Sequence, residues 1–164
     1  MSQSNERKRF MAIYGVGSKW NDEELAPTFF NEKTFTLGWD EENAEDLYSF
    51  LASLKAGDIL YLKANRPGSR VIRVKGIGFI RESFISSFCG KKEDISDYQS
   101  FSLPVVWIVQ KEFLINIPQS VGRLTNIRAA TAYEEYLPLV QKIIIEKILE
   151  KINIASSKTI FDSI

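Results

Sequence analysis

At 164 residues, 45% hydrophobic and 26% charged, the chain can build one hydrophobic core and is too short for two comfortable ones. Its 21 basic and 21 acidic residues cancel, so a nucleic-acid role would rest on a local patch or a base pocket rather than on bulk charge. With no histidine and one cysteine, Cys89, the chain has no Ser-His or Cys-His pair, imidazole metal site or thiolate cluster, and no metal or cofactor is expected.

A lone cysteine cannot form an internal disulfide, which suits a reducing compartment. No apolar run approaches the roughly 20 residues that span a bilayer. Residues 1–9 are polar and charged, without the apolar stretch of a signal peptide. The expectation is a cytoplasmic protein with no membrane partner.

Residues 9–17 read as a strand, with Phe10, Ala12, Tyr14 and Val16 on one face and Met11 and Ile13 on the other. Apolarity on both faces suggests a central strand. Residues 18–31 read as irregular, and 33–39 as a second strand. From Asp40 to Asn43 the chain offers helix caps; Leu47, Phe50, Leu51 and Leu54 then follow helical spacing, and Gly57 ends the helix.

The stretch Lys55-Ala56-Gly57-Asp58-Ile59-Leu60-Tyr61-Leu62-Lys63 launches a strand from a Gly-Asp turn. Residues 58–63 and 70–81 form a hairpin around Asn65-Arg66-Pro67-Gly68. Simple alternation puts Ile72, Val74, Gly76, Gly78 and Ile80 on one face, with Arg73, Lys75 and Arg81 on the other. Glycine inside a strand suggests a bulge or a close approach to the backbone, and Gly76-Ile77-Gly78 places two there. Residues 83–102 read as a loop and 103–113 as a strand centred on Trp107, which is expected in the core. Residues 132–153 read as helical, with Pro138 in the first turn of the main segment and a stripe of Val140, Ile144, Ile148 and Ile152.

Gly15-Val16-Gly17-Ser18-Lys19 lacks the spacing of a phosphate loop, and Gly76-Ile77-Gly78 lacks the third glycine of a dinucleotide fold. The acidic run Asp40, Glu41, Glu42, Glu45 and Asp46 suits a helix N-terminus better than a cation site. The aromatics carry more. Trp20 and Trp39 flank the first two strands, Tyr14 ends the first, and Ser18, Lys19, Asn21 and Asp40 surround them. Base–aromatic stacking is worth about 1–3 kcal/mol per base, so two such rings can hold a nucleobase without a basic surface.

In order along the chain, Tyr14-Gly15-Val16-Gly17-Ser18-Lys19, Gly38-Trp39-Asp40, the helix leading into Lys55-Ala56-Gly57-Asp58, the strand Lys75 to Ile80, and Pro104-Val105-Val106-Trp107-Ile108 form a set. That set resembles the PUA-like superfamily, especially its EVE, ASCH and YTH-like branches, as found in small stand-alone or nuclease-fused domains of prokaryotes. The resemblance covers residues 9–113. It implies an α+β fold, a PUA-like mixed β-barrel flanked by helices with a C-terminal helix. Residues 9–153 would form the single domain, with 1–8 and 154–164 as flexible tails.

The resemblance also implies a non-enzymatic nucleic-acid-binding function, with a flipped or modified base taken into an aromatic pocket. Ser18 and Trp39 map best onto that pocket, with Tyr14 and Trp20 beside them and Asp40 or Asn126 reading the base edge. Lys19, Arg73, Lys75 and Arg128 are the expected phosphate contacts. The partner is DNA or RNA; nothing in the residues separates them. Two other readings stand beside this one. Lys19 with Glu23 or Asp40 could form the Lys–carboxylate pair of an ASCH-type hydrolase, given an amine strongly perturbed by burial. The isoleucine-rich C-terminal helix could present its second apolar side to a protein partner.

Overall fold

The computed structural model describes residues 11–38, 45–89 and 102–161. In chain order these form β1 (Ile13–Val16), β2 (Lys19–Trp20), β3 (Glu23–Glu24), α1 (Ala26–Glu32), β4 (Thr34–Thr36), α2 (Glu45–Ser53), β5 (Ile59–Ala64) and β6 (Val71–Ile80). There follow α3 (Phe84–Cys89), β7 (Ser102–Val109), β8 (Phe113–Asn116), β9 (Ala132–Glu134) and α4 (Pro138–Phe161). The fold is α+β. Its main sheet runs β4-β7-β6-β5-β1-β9, with β8 also paired to β6, and curls into a half-barrel of mixed strands. Among the described residues only β1 and β5 pair in parallel; the other pairings are antiparallel.

All four residues of β1 are buried, because the sheet carries a core on each face. Tyr14, Val16, Leu60 and Leu62 join one core, with Phe29 of α1, Leu51 of α2 and Leu103, Val105 and Trp107 of β7. Ile13, Ile59 and Tyr61 join the other, with Ile72 and Val74 of β6 and Val140, Ile144 and Ile148 of α4. The period-two alternation of β1 and β5 therefore feeds two cores at once. The α4 stripe follows the expected spacing up to Ile148 and then leaves the sheet, so Ile152 is exposed.

The Gly57-Asp58 turn is built as its residues suggest. Gly57 sits at φ 89°, and the buried Asp58 carboxylate accepts hydrogen bonds from the Ala12 and Lys55 backbone N–H groups at 3.2 and 3.0 Å. Trp107 lies in the core, its indole N–H donating to the Phe29 carbonyl at 2.9 Å.

Simple alternation fails in β6. Leu62 pairs with Gly76 and Lys63 with Val74, so Lys75 is an extra residue in a bulge. Ile72 and Val74 consequently face the α4 side, whereas Ile80 joins the opposite core, and Gly76 lies under the Phe30 ring. The extra residue, Lys75, carries its ammonium to Glu24 and Ser18. A second shift, between Ile77 and Gly78, leaves Ile108 of β7 unpaired. There a Cβ on Gly78 would stand 2.8 Å from the Val106 carbonyl oxygen, the close approach that the two glycines signalled.

Other boundaries also move. The second strand shrinks to β4, α3 occupies the start of the expected loop, and Ala132–Glu134 is a strand on the edge of β1 rather than the start of a helix. The main helix does begin at Pro138, and it continues past residue 153 to Phe161.

Candidate functional site

Where β1 ends, the Gly17 N–H donates to the Thr131 carbonyl at 2.9 Å and the chain turns into the β2–β3 hairpin. Asn21 and Asp22, at φ 44° and 73°, supply the two left-handed positions such a tight turn requires. The hairpin folds Glu24 back onto Ser18. The fully buried Ser18 hydroxyl donates to Glu24 Oε1 and accepts from Lys75 Nζ at 3.2 Å, while Lys75 also pairs with Glu24. The bulge in β6 delivers Lys75 to this point. Burial works against the Glu24 charge, but hydrogen bonds from Lys75 and Ser18 overcome it and hold the carboxyl below its ordinary value. The Ser18 hydroxyl is thus fully buried and donates its proton to Glu24.

Trp20, in β2, is half-buried and meets Phe29 edge-on at 6.1 Å. Its indole lies against Gly38, where a Cβ would come within 2.5 Å of the ring. Trp20 and Gly38 thus meet at one corner of the half-barrel, with Ser18 two residues before Trp20 in the chain. Trp39 and Asp40 follow Gly38 directly but lie outside the described residues.

Other predicted site residues are engaged elsewhere. Tyr14 is buried in the core, edge-on to Phe50 at 5.1 Å, which makes it a packing residue here rather than a pocket wall. Lys19 Nζ lies 3.0 Å from Asp22, with both side chains exposed; among the described residues its carboxylate partner is therefore Asp22 rather than Glu23, and Asp40 lies outside the described residues. Arg73 pairs with Glu112 at 2.7 Å. Asn126 is exposed at the start of a 3-10 turn, Asn126–Ala129, whereas Arg128 is buried against Glu135. Ser18 and Lys75 meet; Arg73 does not join them.

The expected site contained only one member, Arg128, of a second polar cluster. Glu135 Oε2 accepts from the Tyr61 hydroxyl at 2.9 Å and from Arg128 Nε at 3.0 Å. Its Oε1 accepts from Arg128 Nη2 and, at 2.9 Å, from the Leu137 backbone N–H. The Tyr61 and Tyr133 hydroxyls bond each other, and the Tyr133 ring covers Gly15, where a Cβ would lie 2.6 Å away. Lys63, also buried, donates to the Arg128 and Ala130 carbonyls at 2.8 and 2.6 Å, tying the 126–130 turn to β5. Tyr61 and Lys63 were the available signals, two polar-tipped side chains on an otherwise apolar strand. On the outer side of this cluster lies a cleft of about 290 Å³ between the 121–128 segment and residues 134–137.

These groups set a pH dependence. Burial, reinforced by the charge of Lys75, lowers Lys63 from an ordinary 10.5 to about 8, whereas burial raises both Tyr61 and Tyr133 above their ordinary 10.0. Between those two Lys63 values the unfolded chain holds a proton that the fold has released, so stability rises with pH. Above the ordinary tyrosine value the unfolded tyrosines ionise while the folded ones stay neutral, and stability falls. Urea unfolding across the alkaline range should therefore show a maximum between the Lys63 and tyrosine transitions. Lys63→Met should erase the rising limb. A steady decline from neutrality in the parent would contradict the burial of Lys63.

Among the described residues no group of three or more His, Cys, Asp and Glu is placed to hold a metal, and no helix is long and apolar enough to cross a membrane. The molecule falls in the class of α+β half-barrels with polar clusters gathered beside the strands. No protein-family model, curated protein or solved structure matches it.

Proposed function

We propose that the chain is a non-enzymatic reader of DNA or RNA, of PUA-like type, taking an unpaired or modified base at the corner of Ser18 and Trp20. The observation that carries this reading is the Trp20 indole laid on the bare backbone of Gly38, immediately before a second tryptophan. Glycine at 38 leaves room for that ring, and an aromatic face held by the backbone is a stacking surface that pays little conformational entropy on binding. The full burial of Ser18 keeps its hydroxyl from attacking a substrate, which favours recognition over hydrolysis. Lys19 and Arg73 sit in exposed ion pairs that a phosphate can compete for.

Trp20→Ala and Trp39→Ala should each reduce affinity for the preferred oligonucleotide by about 1–3 kcal/mol, with both variants still folded. The assay is a panel of otherwise identical strands, each carrying one unpaired or modified base. At least one should bind better than its control, and the preference should vanish in both variants. Equal binding across the panel, with both variants behaving like the parent, would remove the corner as a base site.

One observation favours a second reading, a protein partner on α4. Ile145, Leu149 and Ile152 are 40%, 51% and 45% exposed and recur at helical spacing on the side away from the sheet. Loss of nucleic-acid binding altogether would bring that surface forward.

A further inference from the structure

The cleft outside β9 contains three groups that the corner reading does not use. Tyr136 is 69% exposed, and its hydroxyl donates to Glu134 Oε2 at 2.6 Å, which restrains a ring that little else covers. Glu134 Oε1 has no hydrogen-bond partner among the described residues. Arg128 is locked onto Glu135 through Nε and Nη2, and its third nitrogen, Nη1, has no partner either. That nitrogen is not among the buried unpaired atoms, and Arg128 lines the cleft. A guanidinium held on two of its nitrogens presents the third as a donor of fixed direction.

We propose that this cleft binds a single planar heterocycle with a hydrogen-bond donor beside an acceptor, a nucleobase or nucleoside. The heterocycle stacks on Tyr136, accepts from Arg128 Nη1 and donates to Glu134 Oε1. Its face rests on the apolar wall of Leu124 and Ile127. A volume of about 290 Å³ suits one such ring system. The lining has two arginines, Arg123 and Arg128, against two glutamates, Glu134 and Glu135, so nothing in it favours an isolated phosphate. The site is independent of the Trp20 corner.

The test titrates guanosine, adenosine, uridine and cytidine into the ¹⁵N-labelled full chain and follows the amide spectrum. At least one nucleoside should give saturable shifts at Thr125, Tyr136 and Leu137. Tyr136→Ala, at an exposed position that does not threaten the fold, should weaken that binding by about tenfold or more. Glu134→Gln replaces an acceptor by a group that also donates, and should change the order of preference among the four. Trp20→Ala should leave the shifts at Thr125, Tyr136 and Leu137 unchanged. Absence of saturable shifts with all four nucleosides, or parental affinity in Tyr136→Ala, would overturn the assignment. Binding that disappears in Trp20→Ala and survives in Tyr136→Ala would move the base to the corner, overturning this site while upholding the other. Nucleoside binding here with no oligonucleotide preference at the corner would fail the reader hypothesis alone.

Discussion

Arg128→Met should destabilise the fold by about 3–5 kcal/mol, because it strands the Glu135 carboxylate in the interior. Glu135 is almost wholly buried, and Arg128 supplies two of the four hydrogen bonds that reach its oxygens. The remaining two, from Tyr61 and Leu137, cannot balance a full charge removed from water. The same carboxylate ties β9 to α4: its Oε1 caps the Leu137 N–H, and the Glu135 carbonyl accepts from Gln141 at 2.7 Å. Loss of the arginine should therefore loosen the start of α4 as well as lower the unfolding midpoint.

The double variant Arg128→Met/Glu135→Leu should recover part of the loss, since removing both charges ends the desolvation penalty. Recovery should be incomplete, because Tyr61 and Leu137 lose their acceptor. Arg128→Lys should fall between the parent and Arg128→Met, retaining the charge without the fork. Urea denaturation of the four proteins measures all of this. A loss below about 1 kcal/mol in Arg128→Met would mean that water reaches Glu135 and that the cluster is not dry.

Trp107→Ala should also lose about 3–5 kcal/mol, by a different route, the cavity left by a large aromatic. The indole packs edge-on to Phe30 at 5.3 Å and lies over Gly78, with the would-be Cβ 2.9 Å from the ring. Its N–H reaches the carbonyls of Phe29 and Thr34 at 2.9 and 3.3 Å, joining β7 to α1 and to the start of β4. Trp107→Phe keeps most of the apolar area and should cost less, about 1–3 kcal/mol, mainly for the unpaired carbonyls. Thermal unfolding gives the stabilities; oligonucleotide affinity, measured where each variant is folded, gives the contrast. Trp107 belongs to the core, so affinity should stay at the parental level, unlike the loss expected in Trp20→Ala. A drop in affinity from a folded Trp107→Phe would place Trp107 within the binding surface.

Legibility in the sequence follows the range of the interaction involved. The Gly57-Asp58 turn, the hairpin through Pro67-Gly68, the start of α4 at Pro138 and the two-sided burial of β1 all follow from residues within about ten positions of one another. The corner of Ser18 and Trp20 was partly legible, because both lie in the same short segment after β1. Glu24 was not, since its role depends on the left-handed turn at Asn21 and Asp22 that folds it back onto Ser18.

By itself, the sequence determined that the chain would alternate strands and helices, that glycines in β6 would meet something at close range, and that Trp107 would lie inside. These are statements about periodicity, turn chemistry and side-chain volume, which act locally. Only the tertiary structure decided where Lys75 points and which charges are buried. The direction of Lys75 depends on the pairing of Leu62 with Gly76 and Lys63 with Val74, a register set between strands rather than within one. The burial of Glu135 depends on Tyr61, 74 residues away in the chain, and on an arginine brought round by a 3-10 turn. A charged side chain reads as surface until its partner is known, because only a paired charge can leave water at tolerable cost.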